Sequence, residues 1–313
     1  MDKYQIIKIA KLYYEMDKTQ KEIAEMENIS RSKVSRILTR ARDRDLIELR
    51  VKLPHSSLYD LELKLKDKFQ LKDAIITPVI INNKNIILKE IGEATGEYLR
   101  DLIDDGDTIG VSWGTTMTYV ANNLPINDIQ GVKVVQLNGG MSHTKSSTTA
   151  NTIVRKFVLA FEGEPYLMPL PAIVDDTDIT GCLMQDRQIR HIFTLCKKAR
   201  VAIFGVGYHS KESVLYRAGY FEDEDSFQKL GDRGAVGDIV ARFIDINGNI
   251  CDKNLNKRTI GISLKDLKQI DYSVGVASGE KKVRPLVGAL RGGYLDTLVT
   301  DENTAKQILE YEE

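Results

Sequence analysis

The apolar positions at the start of the chain recur with the period of an α-helix and predict two short helices. In residues 4–16 the apolar side chains stand at positions 6, 9, 10, 13 and 16, which places them on one face of an amphipathic helix. Thr19 can cap the next helix, because Glu22 follows three residues later as in a capping box. The apolar positions that we expect to face inward in this second helix are Ile23, Ala24 and Met26.

A third helix is predicted after a turn at residues 27–29, with Ser30 as its cap. Apolar side chains follow helical spacing at Val34, Ile37, Leu38 and Ala41. The opposite face is basic and polar, with Arg31, Ser32, Lys33, Ser35, Arg36 and Arg40. This pattern is typical of a helix-turn-helix whose second helix enters the major groove of DNA. We expect base contacts from Arg31, Ser32 and Arg36, and phosphate contacts from Lys33 and Arg40.

Two flanking features support a nucleic-acid function for this end of the chain. Residues 46–53 alternate between apolar and polar side chains as a strand does, and they include Arg50 and Lys52, which fits a winged variant. Residues 28–52 contain eight Lys and Arg against three acidic residues, so the stretch carries +5 in a chain of net charge −1. A solvated surface helix is the alternative for the basic helix alone, and the combination of features favours DNA binding.

The remainder of the chain has a different organisation. Apolar spacing predicts a linker helix within residues 54–72. Beyond it, short runs rich in Val and Ile predict strands at residues 74–80, 108–113, 132–137, 201–206, 239–245, 272–277 and 296–301. Helical patterns lie between several of them, near residues 87–103, 115–124, 149–161, 186–198, 282–291 and 302–311.

Alternating strands and helices indicate an α/β domain with a mainly parallel sheet, whose ligands bind at the carboxyl ends of the strands. We therefore predict a DNA-binding domain at residues 1–53, the linker helix at 54–72, and a ligand-binding and oligomerisation domain at 73–313.

The composition is that of a globular protein and narrows the function classes. The apolar runs are too short to span a membrane or to form a signal-peptide core, so we expect a cytoplasmic protein. The cysteines Cys182, Cys196 and Cys251 lack the spacing of a disulfide framework or a zinc site. We expect neither a metal nor a cofactor.

Glycine-containing turns follow two of the predicted strands. Gly114, Thr115 and Thr116 come between a strand and a helix, so backbone N–H groups, two hydroxyls and the positive end of a helix dipole converge. This suits a phosphate, although a helix start with capping hydroxyls is the alternative. Gly139 and Gly140 follow the next strand, where they allow either close approach of a ligand or a tight turn.

Two further positions carry charges that suit a phosphorylated sugar. Residues 275–282 form a third turn between a strand and a helix, at whose edge Lys281 or Lys282 can reach an anion. Asp238 lies just before a predicted strand, where its carboxylate can accept hydrogen bonds from sugar hydroxyls. A structural cap is the alternative for Asp238.

Eight segments, spread in order over essentially the whole chain, together resemble the SorC family of bacterial sugar-responsive transcriptional regulators. They are TQKEIAEMENISRSKVSRIL, GVSWGTTM, VVQLNGG, PYLMPLPAIV, AVGDIVARFIDINGNI, RTIGISL, VASGEKKVRPLVGAL and LVTDENTAKQIL. The sequences of these segments are most similar to the Gram-positive deoxyribonucleoside repressor (DeoR) branch. The resemblance implies an effector domain similar in fold to ribose-5-phosphate isomerase and glucosamine-6-phosphate deaminase, phosphorylated sugars as effectors, and tetramers on paired operator half-sites.

Carried over residue by residue, the resemblance assigns Gly114, Thr115 and Thr116 to the phosphate-binding loop. It places Gly139 and Gly140 beside the sugar and makes Asp238 and Lys282 effector-contacting residues. One position departs from the deoxyribonucleoside branch, which has a lysine able to form a Schiff base where this chain has Asn138. An amide cannot form an imine, so this position implies a reversibly bound sugar phosphate. Lys145 lies seven residues further on, but nothing in the sequence favours it as a substitute.

The combined interpretation is a repressor-like regulator of a carbohydrate operon whose DNA affinity depends on a phosphorylated sugar, and whose partners are operator DNA, the effector and further copies of itself. One alternative is a sugar-phosphate isomerase-like enzyme. Against it, no histidine or second carboxylate stands at a motif-like spacing in the candidate loops, and His143 is best interpreted as a polar loop residue. The other alternative is a DNA-binding protein whose α/β domain only oligomerises.

Overall fold

The structure is a computed structural model that describes residues 3–43, 46–47, 58–140, 149–221 and 223–311. Residues 48–53 of the predicted wing, with Arg50 and Lys52, lie outside the described residues, as do His143 and Lys145. The chain divides into two compact units, Met1–Pro54 and His55–Glu313. The predicted fold class is confirmed, because the first unit is a helix-turn-helix and the second a parallel α/β domain.

The N-terminal unit contains the three predicted helices, α1 (Lys3–Tyr14), α2 (Gln20–Met26) and α3 (Arg31–Asp43). The capping box of α2 is present: the Thr19 hydroxyl accepts a hydrogen bond from the Glu22 amide at 3.3 Å, and the Glu22 carboxylate accepts one from the Thr19 amide at 2.8 Å. Ser30 accepts a hydrogen bond from the Lys33 amide at 3.2 Å and so caps α3. These caps fix the turn between the two helices.

The core of this unit lies between the three helices and contains Ile6, Ile9, Ile23, Val34 and Ile37, each at most 1% exposed. Two predicted inward positions were wrong. Met16 and Met26 are each 58% exposed, because α1 ends before Met16 is reached and Met26 is the last residue of α2.

The C-terminal unit is built around a sheet in which, among the described residues, seven strands run parallel in the order β1-β9-β8-β5-β2-β3-β4. A separate antiparallel hairpin is formed by β6 and β7. The strands are β1 (Asp73–Thr77), β2 (Thr108–Val111), β3 (Lys133–Gln136), β4 (Glu164–Tyr166), β5 (Val201–Gly205), β6 (Gly237–Ile239), β7 (Arg242–Ile244), β8 (Tyr272–Val276) and β9 (Thr297–Asp301).

The helices of this unit connect the strands and cover both faces of the sheet. They are α4 (Tyr59–Phe69), α5 (Lys84–Leu102), α6 (Thr115–Asn122), α7 (Ala150–Ala160), α8 (Thr177–Leu183), α9 (Arg187–Lys197), α10 (Val214–Arg217), α11 (Glu224–Asp232), α12 (Lys253–Arg258), α13 (Leu264–Leu267), α14 (Val283–Arg291) and α15 (Glu302–Glu310). The helix within the predicted linker is α4, which buries Leu65 in the core of this unit.

The two faces of the sheet belong to separate cores, as the alternation along β5 shows. Ala202 and Phe204 point into the core covered by α4, α9, α14 and α15, while Val201 and Ile203 point into the core covered by α5, α6 and α7. Burial on both faces explains why the strands appear in the sequence as continuous apolar runs.

The single strand predicted at residues 239–245 was wrong. The segment turns back at Val240 and Ala241, whose φ values are 47° and 67°, and forms the β6–β7 hairpin apart from the main sheet. Turns of this kind usually contain glycine or asparagine, so this one could not be recognised from the residue types.

Candidate functional site

The candidate DNA-binding residues lie together on the outer face of α3. Exposed side chains on this helix include Arg31, Ser32, Lys33, Ser35, Arg36 and Arg40. Their placement follows from burial of the opposite face, with Val34, Ile37, Leu38 and Ala41, in the core of the unit. The Arg36 guanidinium donates a hydrogen bond to the Ser32 carbonyl one turn earlier at 3.4 Å. The arrangement presents several cations and hydroxyls on a rigid helix, as contact with a DNA groove requires.

The α/β unit contains a cavity of about 660 Å³ at the carboxyl ends of β2, β5 and β8. The strand order places it there. From β2 the chain proceeds to β3 and β4 on one side, then returns to β5 on the other side of β2 and continues to β8. Connections that diverge from neighbouring parallel strands leave a crevice between them, which is where ligands bind in open α/β sheets.

The turn after β2 forms one wall of this cavity. Gly114 has a φ of 131° and precedes α6, and a Cβ added to it would meet nothing within 4 Å, so its α-carbon faces open space. Within the described part of the chain no side chain caps α6, which leaves its first amides available to a ligand. Thr115 and Thr116 also line the cavity. The positive end of the helix dipole favours an anion here.

The turn after β8 forms a second wall of the same kind. Gly279 has a φ of 109° and also faces open space, and it precedes a 3-10 turn, Glu280–Lys282, that continues into α14. Its amide donates a hydrogen bond at 2.8 Å to the hydroxyl of buried Thr304, which in turn donates to the Asp301 carboxylate. Two helix starts opened by glycine therefore line one cavity.

Asp238 and Lys282 also line the cavity, and burial opposes the charge of each. Burial raises the pKa of Asp238 to about 6, although Lys282 and the Ala241 amide act against the rise. Burial lowers the pKa of Lys282 to about 8, although Asp238 acts against the fall. The Lys282 ammonium donates to the Val206 carbonyl and lies 4.6 Å from the centre of the Tyr208 ring. Because burial disfavours the charged form of Lys282, an anionic ligand in the cavity stabilises its ammonium group.

If a phosphate ester binds in this cavity, we expect its affinity to fall above pH 8, because Lys282 must carry its proton to attract the dianion. Bound phosphate raises the pKa of Lys282, so affinity is full below the pKa of the free protein and falls up to about tenfold per pH unit above it. Titration calorimetry from pH 7 to 9.5 checks this, since the ester itself stays doubly charged over this range.

Two variants serve as controls for the pH profile. Lys282→Arg keeps its charge and should remove the fall in affinity, whereas Lys281→Gln changes an exposed neighbour and should leave the fall in place. An unchanged profile in Lys282→Arg would show that another group titrates.

Asn138 lines the cavity, but among the described lining residues Gly139 and Gly140 do not appear. Gly139 packs against backbone: a Cβ added to it would lie 2.1 Å from the Pro171 carbonyl oxygen. Its own carbonyl accepts a hydrogen bond from the Trp113 indole at 2.7 Å. Gly140 donates to the Leu170 carbonyl, and an added Cβ would come no closer than 3.6 Å to any neighbour. Gly139 therefore makes room for backbone rather than for a ligand, and neither glycine has the positive φ of a tight turn.

Gly139→Ala is expected to lower the free energy of unfolding by about 1–3 kcal/mol, because the new methyl must displace backbone. Gly140→Ala is the matched control and should change it little, since its methyl makes ordinary contacts. Urea unfolding of both variants measures the difference. Equal stability of the two would contradict the packing role of Gly139.

Several charged residues of the cavity were not predicted from the sequence. Lys84 begins α5 after the Asn83 cap, and Arg217 ends α10. At the rim, the Lys281 ammonium and the Glu212 carboxylate lie 2.8 Å apart. The Asn83 cap is a sequence signal that could have found Lys84, whereas nothing local marked Arg217. With these residues the lining carries four cations against three carboxylates, those of Glu212, Asp238 and Glu280.

Metal sites, reactive cysteines and membrane-spanning helices are three other features that would indicate a different class of protein. No group of three or more His, Cys, Asp or Glu side chains is placed there to hold a metal ion. Cys182, Cys196 and Cys251 are free thiols, and burial raises the pKa of Cys196 to about 12, so it is unreactive. Within the described part of the chain no helix is both long and apolar enough to cross a membrane.

Two protein families match different parts of the chain. The family described as "Putative sugar-binding domain" matches residues 54–310, and the family described as "Sigma-70, region 4" matches residues 8–44.

Individual relatives match almost the whole chain. The deoxyribonucleoside regulator of Bacillus subtilis (strain 168) is 39% identical over 97% of this chain and 96% of its own length. The sorbitol operon regulator of Klebsiella pneumoniae is 32% identical over 97% of each chain. The crystal structure of the full-length sorbitol operon regulator SorC from Klebsiella pneumoniae superimposes with a TM-score of 0.78, at 33% identity and with 99% of each chain covered.

Proposed function

The chain belongs to the SorC/DeoR family of sugar-binding transcriptional regulators, and we propose that it represses a carbohydrate catabolic operon until a phosphorylated sugar enters its cavity. Its relatives are transcriptional regulators, so this is a sugar-responsive DNA-binding regulator rather than an enzyme. We propose three further properties: the effector is phosphorylated, the protein represses transcription, and it acts as a dimer or tetramer.

The observation that carries the proposal is the pair of helix starts in one cavity. Gly114 and Gly279 both have positive φ values, and a Cβ added to either would meet nothing within 4 Å. Lys84, Arg217 and Lys282 add positive charge around them. Backbone amides, a helix dipole and cations are the groups that bind phosphate in proteins.

The remainder of the lining suits the hydroxyl groups of a sugar. Ser112 and Asn138 are buried and polar, and Asp238 carries a carboxylate that accepts hydrogen bonds. Since Asn138 has no amine, it cannot form a Schiff base, and we infer that the effector binds reversibly at this position.

We propose that the effector acts by thermodynamic linkage. One recognition helix contacts too few base pairs to be selective, so the operator complex needs at least two copies of the chain, and a dimer or tetramer supplies them. If the effector binds more tightly to an arrangement that does not fit two half-sites, it lowers DNA affinity by its differential binding free energy. About 3 kcal/mol of coupling corresponds to more than a hundredfold change.

A thermal-shift screen of the full chain tests the proposal. The compounds are pentose, deoxypentose, hexose and polyol phosphates, each beside its unphosphorylated parent. A ligand at a hundred times its Kd stabilises the protein by about 2.7 kcal/mol, which gives a clear rise in Tm. We expect a rise with a phosphate ester and none with its parent. No rise with any phosphate would contradict the proposal and favour an α/β unit that serves assembly alone.

The same compound must then release operator DNA. In a DNA-binding titration we expect the phosphate ester that raises Tm to weaken operator affinity. A strengthened affinity would contradict repression relieved by the effector.

A further inference from the structure

Asn138 is buried in the cavity wall with an unsatisfied acceptor. The residue is 3% exposed, and its side-chain oxygen has no hydrogen-bond donor among the residues that the structure describes. Buried side-chain acceptors are nearly always satisfied, because an unpaired one loses its hydration without compensation. The oxygen itself is inaccessible to water, so a donor in the cavity that Asn138 lines can reach it only when the side-chain amide turns towards the cavity.

The side-chain amide of Gln136, two residues earlier, is fully paired, unlike that of Asn138. The Gln136 side chain is buried too, but its nitrogen donates to the Asn138 carbonyl at 2.7 Å and its oxygen accepts from the Met168 amide at 3.1 Å. Both ends of the Gln136 amide are therefore paired with backbone groups, whereas Asn138 is the one of these two amides that lines the cavity.

The surroundings of Asn138 hold it in place. Its backbone forms a β-bridge with Gly261, whose α-carbon packs so closely that an added Cβ would lie 2.7 Å from the Asn138 Cβ. Buried Arg242 fixes that segment in turn, because its guanidinium donates to the carbonyls of Gly261 and Ile262, each at 2.8 Å. The main chain and Cβ of Asn138 are thus fixed, and rotation about the side-chain bonds can turn the amide oxygen to a ligand.

From this geometry we propose that Asn138 accepts a hydrogen bond from one hydroxyl of the effector and thereby selects a hydroxylated sugar phosphate over the deoxy analogue that lacks this hydroxyl. The inference rests on the proposed function, since the hydroxyl belongs to the sugar whose phosphate binds at the glycine-opened helix starts. A site that pairs a ligand hydroxyl rejects the analogue without it, because the buried acceptor is then left unpaired.

The test compares Asn138→Leu with the wild-type full chain by titration calorimetry. The parent compound is the one that the wild type binds with the lowest Kd among D-ribose 5-phosphate, D-glucose 6-phosphate, D-fructose 6-phosphate and sorbitol 6-phosphate. The probes are this parent, each of its monodeoxy analogues, and inorganic phosphate. We expect the wild type to bind the parent at least about tenfold more tightly than one analogue. In Asn138→Leu this ratio should fall to about one, with affinity for inorganic phosphate unchanged.

Asn138→Ala guards against misfolding of the first variant, because it adds no atom to this packed segment. Tm without ligand is measured for both variants, and neither should lie far below the wild type, since each removes an unpaired acceptor. The inference is overturned if the wild type discriminates against no monodeoxy analogue, or if both variants keep its ratio. Absence of binding by every phosphate, inorganic phosphate included, would instead contradict the proposed function itself.

Discussion

Replacing Thr115 and Thr116 together by valine is expected to abolish the response to a phosphorylated effector while DNA binding persists. Both residues line the cavity in the first turn of α6, where no side-chain cap competes with a ligand among the described residues. Valine has nearly the same shape and keeps the helix start, but it cannot donate a hydrogen bond. Hydrogen bonds to a charged group contribute about 1.5–3 kcal/mol each, so losing two should weaken effector binding more than a hundredfold.

Thr118→Val is the matched control for this double variant. Thr118 lies on the same helix, but its hydroxyl donates to the Gly114 carbonyl at 2.9 Å and is not directed to a ligand. Calorimetry with the phosphate ester, followed by a DNA-release titration, should show the wild-type response in this control. Release of DNA by the double variant at the wild-type effector concentration would refute the phosphate site at Gly114–Thr116.

Much of the fold was predictable because local patterns and tertiary burial agree. Strands β2, β3, β5, β8 and β9 are buried on both faces, so each stands out as an apolar run between helical segments. In the N-terminal unit, the Thr19 capping box and the spacing of Val34 and Ile37 are local signals that the structure confirms.

The sequence could not supply the strand order. The crevice depends on β5 lying beside β2, although strands β3 and β4 and helices α6 to α9 separate them along the chain. Parallel strands are joined through crossovers, and many orders satisfy the same pattern. The turns at Gly114 and Gly279 were therefore visible as separate motifs, and only the topology brings them to one cavity.

Short elements and packing glycines were beyond prediction for a different reason. The β6–β7 hairpin depends on Val240 and Ala241 holding positive φ values, which these residue types rarely adopt and which tertiary packing must impose. Gly139 has the same sequence signature as a glycine that faces a ligand, but its missing side chain makes room for the Pro171 carbonyl. A glycine pair alone does not reveal which neighbour approaches it.

The second large effect is expected at the DNA-binding face. Replacing Arg31 and Arg36 together by alanine should weaken operator binding by about 2–6 kcal/mol, because each arginine that contacts base edges contributes about 1–3 kcal/mol. Both side chains are exposed on α3 and belong to neither the core nor the cavity, so effector binding and Tm should persist. Operator affinity is measured at fixed salt by fluorescence anisotropy, beside a random DNA of the same length.

The double variant Lys33→Ala/Arg40→Ala removes the same number of charges from the same helix and separates base contacts from phosphate contacts. If Lys33 and Arg40 contact phosphates, operator and random DNA should weaken alike, and the slope of log affinity against log salt should fall by about 0.9 per lost contact. If Arg31 and Arg36 contact bases, their loss should instead reduce the ratio of operator to random affinity and leave the salt slope nearly unchanged. Identical behaviour of the two variants would mean that α3 binds DNA by charge alone and that the bases are recognised elsewhere on the chain.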